Sequence, residues 1–191
     1  MSRVFRRDPE SWRTFVPEVT DVRSKGATVG GAFAWVEADA KPDEGRWIAP
    51  IIDGAVPSGA DALVHDGALT SEEARTLPLY CDDPRNVPGD HPGPIVLTRL
   101  AAYPCDADRL LATLDRMDGD PRLLLETSGA SISGFIAAAV GRHPERVMFG
   151  SGAPVFDANA QVLHVAAALP DDGALRRVLH DNAVQWLGAS R

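Results

Sequence analysis

The chain is expected to fold as an α/β domain, a parallel sheet covered by helices. Three observations predict this. The second half alternates short apolar runs with stretches of helical spacing. The apolar runs are continuous rather than alternating, as in strands buried on both faces. Gly, Pro or Asp bounds each run, so each is short. This pattern fits both an open doubly wound sheet and an eight-stranded barrel, and does not choose between them.

The elements follow in order. In residues 1–30, Trp12, Phe15, Val16, Val19 and Val22 could form one amphipathic helix, broken at Pro17. This gives a helical N-terminal extension to a single domain spanning 1–191. A strand is plausible at Gly31–Val36. Further strands are expected at Asp61–Val64, Leu77–Cys81, Pro94–Leu100, Arg122–Glu126 and Arg146–Gly150. Thr70-Ser71-Glu72-Glu73 reads as a capping box that starts a short helix. Residues 82–93, DDPRNVPGDHPG, form a loop by composition. In Asp106–Met117, Leu110, Leu111, Leu114 and Met117 recur at helical spacing. Ser131 can cap a helix running to about Val140, where Gly141 and Pro144 stop it. Asp157 can cap the stretch with Val162, Val165, Ala166 and Leu169. A last helix starts near Asp171 or Asp172 and carries Leu175, Val178, Leu179, Ala183 and Trp186 on one stripe, ending at Gly188.

Bulk properties exclude several classes. The net charge of −8 opposes contact with phosphate backbones, so no nucleic-acid partner is expected. No apolar stretch is long enough to span a bilayer. The N-terminus is basic without an apolar core, and the two cysteines, Cys81 and Cys105, make no disulfide framework, so a cytoplasmic location is expected. The only lysines are Lys25 and Lys41, which leaves few candidates for a Schiff base or a carboxylated lysine. Gly-rich GATVGGAF and SGASISG match no dinucleotide or P-loop fingerprint.

Two segments near the C-terminus carry a family resemblance. RVMFGSGAPVFD (Arg146–Asp157) resembles the last barrel strand of the amidohydrolase-related family, which reads R-v-l-F-G-S-D-x-P. HDNAVQWLG (His180–Gly188) is similar to its closing x-x-N-A-x-x-L-l-G. Further back, RLLLETSGA, PIVLTRLAAYP, LPLYCDD, GADALVHDG and FAWVEADAKPDEG resemble successive strands of the same family. The family comprises metal-dependent hydrolases and decarboxylases on a (β/α)8 barrel. The resemblance covers about Gly31 to Gly188 and implies a partial or degenerate TIM barrel of about six parallel strands. The family's first strand, with its His-x-His pair, has no counterpart, and the second strand is not apparent.

The departures bear on chemistry. The family's metal-binding Asp falls at Gly152, one histidine at Arg99, and another at Asp82 or Cys81. A hydrolytic zinc site needs about three protein ligands and an open position, so no metal ligand is assigned and no cofactor is expected, with zinc unsupported. Asp82, Arg99, Glu126 and Ser151 are placed at the C-terminal ends of strands, where barrel active sites lie. Asp82 and Glu126 are the candidate acid–base pair. Arg99, with Ser151 and His65, is the candidate substrate-binding set, because a guanidinium can grip a small carboxylate through two parallel hydrogen bonds. The structural alternative is a salt bridge from Arg99 to Asp82 or Glu126. For Cys81 it is a small buried side chain, and for His91 a solvated loop histidine. The five histidines show no metal-ligand spacing. The implied role is a non-catalytic barrel or a partner subunit. The alternative is a hydrolase or lyase on a small carboxylate, metal-independent or completed by a partner chain. Six strands cannot close an eight-stranded barrel, so a homodimer or heteromer is expected to bury the open side.

Overall fold

The computed structural model describes residues 76–152 and 156–187, residues 59–65, residue 56, and four short strands before them. Those early strands are described by backbone course and pairing. The first two, β1 (Arg23–Ser24) and β2 (Ala27–Thr28), form an antiparallel ribbon. Strand therefore occupies part of the expected helical extension. The proposed helix through Trp12 and Val22, the Thr70 capping box and Gly188 lie outside the described residues.

Seven strands form one sheet: β3 (Phe33–Trp35), β4 (Arg46–Pro50), β5 (Ala62–Val64), β6 (Leu79–Cys81), β7 (Ile95–Leu97), β8 (Leu123–Glu126) and β9 (Val147–Met148). They lie side by side in chain order, and every neighbouring pair is parallel. That is the strand order of a barrel, with β3 and β9 as its two ends. The expected six strands become seven because Arg46–Pro50 pairs between β3 and β5. Its short apolar stretch ends in Pro50, a residue rare inside a sheet.

The strands are shorter than the apolar runs that announce them. Pro94–Leu100 shortens to β7 because Thr98–Ala101 turns out of the sheet. Arg146–Gly150 shortens to β9, which leaves Phe149 half-buried beyond the strand.

Alternation along the strands divides the core into two faces. Leu63, Leu79, Ile95, Leu97, Leu123, Leu125 and Val147 pack outward against the helices. Ala62, Tyr80, Val96, Leu124 and Met148 form the inner layer, against which Ala183 and Trp186 pack.

Helix α1 (Ala107–Gly119) starts at Asp106, whose carboxylate accepts from the Arg109 N–H at 3.0 Å. Its buried stripe is Leu110, Thr113, Leu114 and Met117, while Leu111 faces solvent. Helix α2 (Ser133–Arg142) runs through Gly141 and begins at Ile132 without a side-chain cap. Ser131, the expected cap, instead meets Cys105 Sγ at 3.1 Å. Helices α3 (Ala158–Ala168) and α4 (Asp172–Arg176) are capped as expected by Asp157 and Asp171, at 2.8 and 2.7 Å.

A π turn (Arg177–Asp181) joins α4 to α5 (Asn182–Leu187). This C-terminal unit seals the free edge of β9. The Phe149 N–H donates to the Val178 carbonyl inside the π turn at 2.8 Å. Asn182 is buried, and its Nδ2 donates to Val147 O at 2.6 Å and Pro144 O at 2.8 Å. An edge strand's unpaired groups are thus satisfied by a helix.

Between β6 and β7 the described chain has no α-helix. Residues 82–93 cross the outer face as a strap with one 3₁₀ turn at Pro84–Asn86. Its Pro84 and Val87 are buried, and Val87 packs into the outer core layer.

Candidate functional site

The site is built where the inner faces of β6, β7, β8 and β9 reach their C-terminal ends. Asp82 follows β6 and is exposed, and it accepts a hydrogen bond from Thr98 Oγ1 at the end of β7. Glu126 closes β8 and is buried. Its Oε1 accepts from the Arg99 backbone N–H at 2.7 Å and from Ser128 Oγ, and its Oε2 accepts from the Ser128 N–H at 2.8 Å. Burial pushes the Glu126 carboxyl above the usual carboxylate range, while these donors and the Arg99 charge pull it back. Tyr80 lies on the same inner face, and burial and the Glu126 charge push its phenol up.

Two glycines make this arrangement possible. A Cβ on Gly150 would lie 1.6 Å from Glu126 Oε2, so the carboxylate occupies the space a β9 side chain would fill. Thr127 Oγ1 accepts from the Gly150 N–H at 3.2 Å, which ties the ends of β8 and β9 together. Gly152, at the family's Asp position, has φ +64°, and a Cβ there would lie 2.8 Å from the Phe156 ring and 3.1 Å from Ser128 Cβ. No metal-binding side chain fits that position while Phe156 sits there.

Arg99 departs from expectation. Its backbone, not its guanidinium, meets Glu126. Among the described residues no carboxylate lies within ion-pair distance of the guanidinium, which rests 4.7 Å from the centre of the Tyr103 ring. Arg99 is half-buried, so its guanidinium does not need the salt bridge to Asp82 or Glu126 that full burial would require. The cause is the backbone: Arg99, Leu100 and Ala101 have φ of 56°, 54° and 54°, a left-handed run without glycine.

His65 lies on the other face. It continues the outward row of Leu63, and its Nε2 meets the Asn86 carbonyl of the strap at 2.9 Å. Ser151 is half-buried just after β9, at the same end as Glu126. Cys81 is buried on the outer side, its Sγ bonded to Asp83 O at 3.1 Å, and burial pushes its thiol up. His91 is fully buried, not solvated. The structure therefore gathers Asp82, Arg99, Glu126, Ser151 and Gly152 at one end, and leaves His65 outside. Sequence reasoning missed Thr98 and Ser128. The Glu-Thr-Ser run was visible, but not that Ser128 folds back onto Glu126.

No protein-family model matches the chain, and no curated protein matches it in sequence. Solved structures do match. Amidohydrolase 2 from Bifidobacterium longum subsp. infantis superposes with a TM-score of 0.65 at 16% identity, covering 96% of each chain. The fold is that of a TIM barrel, with seven of its parallel strands described. The 5-carboxyvanillate decarboxylase of Sphingomonas paucimobilis gives 0.53 at 14% identity, covering 76% of this chain and 67% of that one. A probable 2-pyrone-4,6-dicarboxylic acid hydrolase from Acinetobacter baumannii gives 0.54 at 12%, covering 77% and 74%. The barrel fold is thus shared with hydrolases and decarboxylases.

A metal of the kind the resemblance implies does not fit the described donors. Three of the roughly four acceptor positions of Glu126 are occupied by donors. The Gly152 position is closed. Among the described residues no three His, Cys, Asp or Glu side chains gather to hold a metal ion. No helix among them is long and apolar enough to cross a membrane.

Proposed function

We propose that this chain is an amidohydrolase-fold protein without metal-dependent hydrolysis, acting as a binding protein or as a subunit beside a complete enzyme. The observation that carries this is the occupation of Glu126. Its carboxylate, at the strand end where a catalytic group is needed, uses three of its roughly four acceptor positions to hold Arg99 and Ser128 in place. An acid–base residue must be free to meet a substrate proton. Metal analysis of the purified protein together with its native mass tests the reading. Substoichiometric zinc and an unchanged melting temperature on adding zinc are expected, because a ligand bound only by the folded state would raise it. Stoichiometric zinc that survives dialysis overturns the reading.

A second reading is favoured by Arg99. Its guanidinium has no carboxylate partner among the described residues, and it stands near the exposed Asp82 end of the sheet. It would hold a small carboxylate, with Asp82 for proton transfer. Calorimetric titration with mono- and dicarboxylates tests this: binding should occur and be lost in Arg99→Ala, and no heat from any of them sinks it. The assembly that goes with either reading is a homodimer or heteromer in the cytoplasm, burying the β3 side of the sheet. Light scattering at micromolar concentration should give more than the monomer mass of 20.4 kDa.

A further inference from the structure

The strap over residues 82–93 takes the place of a crossover helix and is fastened from several sides. The Asn86 carbonyl meets His65 Nε2, and Arg116 of α1 donates to the Pro84 carbonyl. Asp83 accepts from Arg85 and pairs with Arg109 of α1 at 3.2 Å. At the far end, Arg122 donates to the carbonyls of Gly89 and His91 while paired with Asp120. These fastenings are at the strap's margin. What lies inside is His91, with no exposed surface.

The His91 ring is an unusual plug. Both its nitrogens are buried, and neither completes a hydrogen bond among the described residues, although the Leu77 carbonyl lies beside the ring. The ring packs so closely on Gly93 that a Cβ there would lie 2.9 Å from Nε2. The charged and titratable groups around it are Arg122 from the start of β8, His65 from the end of β5, and Asp90 from the strap itself. The charge that fastens the strap at the His91 carbonyl is the Arg122 guanidinium. A neutral imidazole tolerates this setting. An imidazolium would be buried beside Arg122, whose own charge is paired with Asp120, and among the described residues Asp90 is the carboxylate set against it.

We propose that the strap is an acid-released cover, held closed by neutral His91 and opened when that ring takes up a proton. Opening uncovers the outer face that Pro84 and Val87 now shield. Burial first, and then Arg122, hold the imidazole below its ordinary value in the closed state. The sign follows. The closed strap is favoured above the ordinary imidazole value of about 6.5, and that preference is lost as pH falls below it, by up to about tenfold per pH unit. The proposal is independent of whether the strand-end site binds metal or substrate.

Hydrogen exchange of the full chain, followed by mass spectrometry at pH 7.5 and 5.5 and corrected for intrinsic rates, tests it. Peptides from 82–93 should lose protection by up to about tenfold relative to α1. His91→Phe and His91→Leu should each abolish that loss, whereas His65→Gln should keep it. The wild-type ring, followed by its Cε1 proton resonance, should titrate below the ordinary imidazole value, with protection falling from that value down to the ring's own midpoint, a measurement that needs no variant. Unchanged strap protection at pH 5.5, a loss that persists without the His91 imidazole, or one removed by His65→Gln would each overturn the proposal.

Discussion

Arg99, Leu100 and Ala101 carry the left-handed turn with ordinary side chains, each at a cost of about 1–2 kcal/mol. Ala101 is the simplest to relieve, because it has only a methyl to lose. Ala101→Gly should raise stability by roughly 0.5–1 kcal/mol, read as a higher urea midpoint at unchanged slope. A lower midpoint would mean that the Ala101 methyl, which is buried, contributes more than its backbone costs. Glu126 and Gly150 form the second pair at this scale. Gly150→Ala puts a methyl where Oε2 lies and should cost about 1–3 kcal/mol. In an Glu126→Ala background the same change should cost much less, and a double-mutant cycle without coupling would refute the contact. The turn and the pair were both hidden in the sequence. No glycine marks the turn, and Glu126 meets Gly150 only because β8 and β9 end side by side.

At the scale of elements, the sequence was legible where burial was on both faces and caps were local. β5, β6, β7, β8 and β9 all lie inside the apolar runs that pointed to them, and Asp106, Asp157 and Asp171 cap as their positions suggest. Strand β4 was missed because five residues with arginine and proline at the ends give little pattern. The site was legible as a location: the strand-end rule placed Asp82, Arg99, Glu126 and Ser151 together. Partners were not legible, since they depend on turns such as 98–101 and on Ser128 folding back. The segment resembling x-x-N-A-x-x-L-l-G has a physical explanation in Asn182, which holds the buried Val147 carbonyl and the part-buried Pro144 carbonyl at the β9 edge. Asn182→Ala leaves both without their donor and should cost about 1–3 kcal/mol, chiefly through the buried Val147 carbonyl, since water can reach that of Pro144. Chemical denaturation checks this, and a loss under 1 kcal/mol would show that water replaces the amide. Asn182→Asp should be no better, since it offers those carbonyls an acceptor.

For the whole molecule, the parallel sheet in chain order makes most core contacts between neighbouring units, so the architecture can form progressively from one side. The exceptions are the β1–β2 ribbon, which lies against α3, α4 and the π turn, and the β9 edge, whose partners in the π turn and α5 come later in the chain. During synthesis, Val147 and Met148 leave the ribosome well before Val178 and Asn182. Until those later residues emerge, the strand's hydrogen-bonding groups are open to any extended segment nearby. A nascent chain arrested before Val178 should therefore recruit chaperones and precipitate when released, whereas one arrested after Asn182, with enough linker to clear the exit tunnel, should not. The seal on the last strand thus sets a point in translation before which the chain is vulnerable and after which it can be left alone.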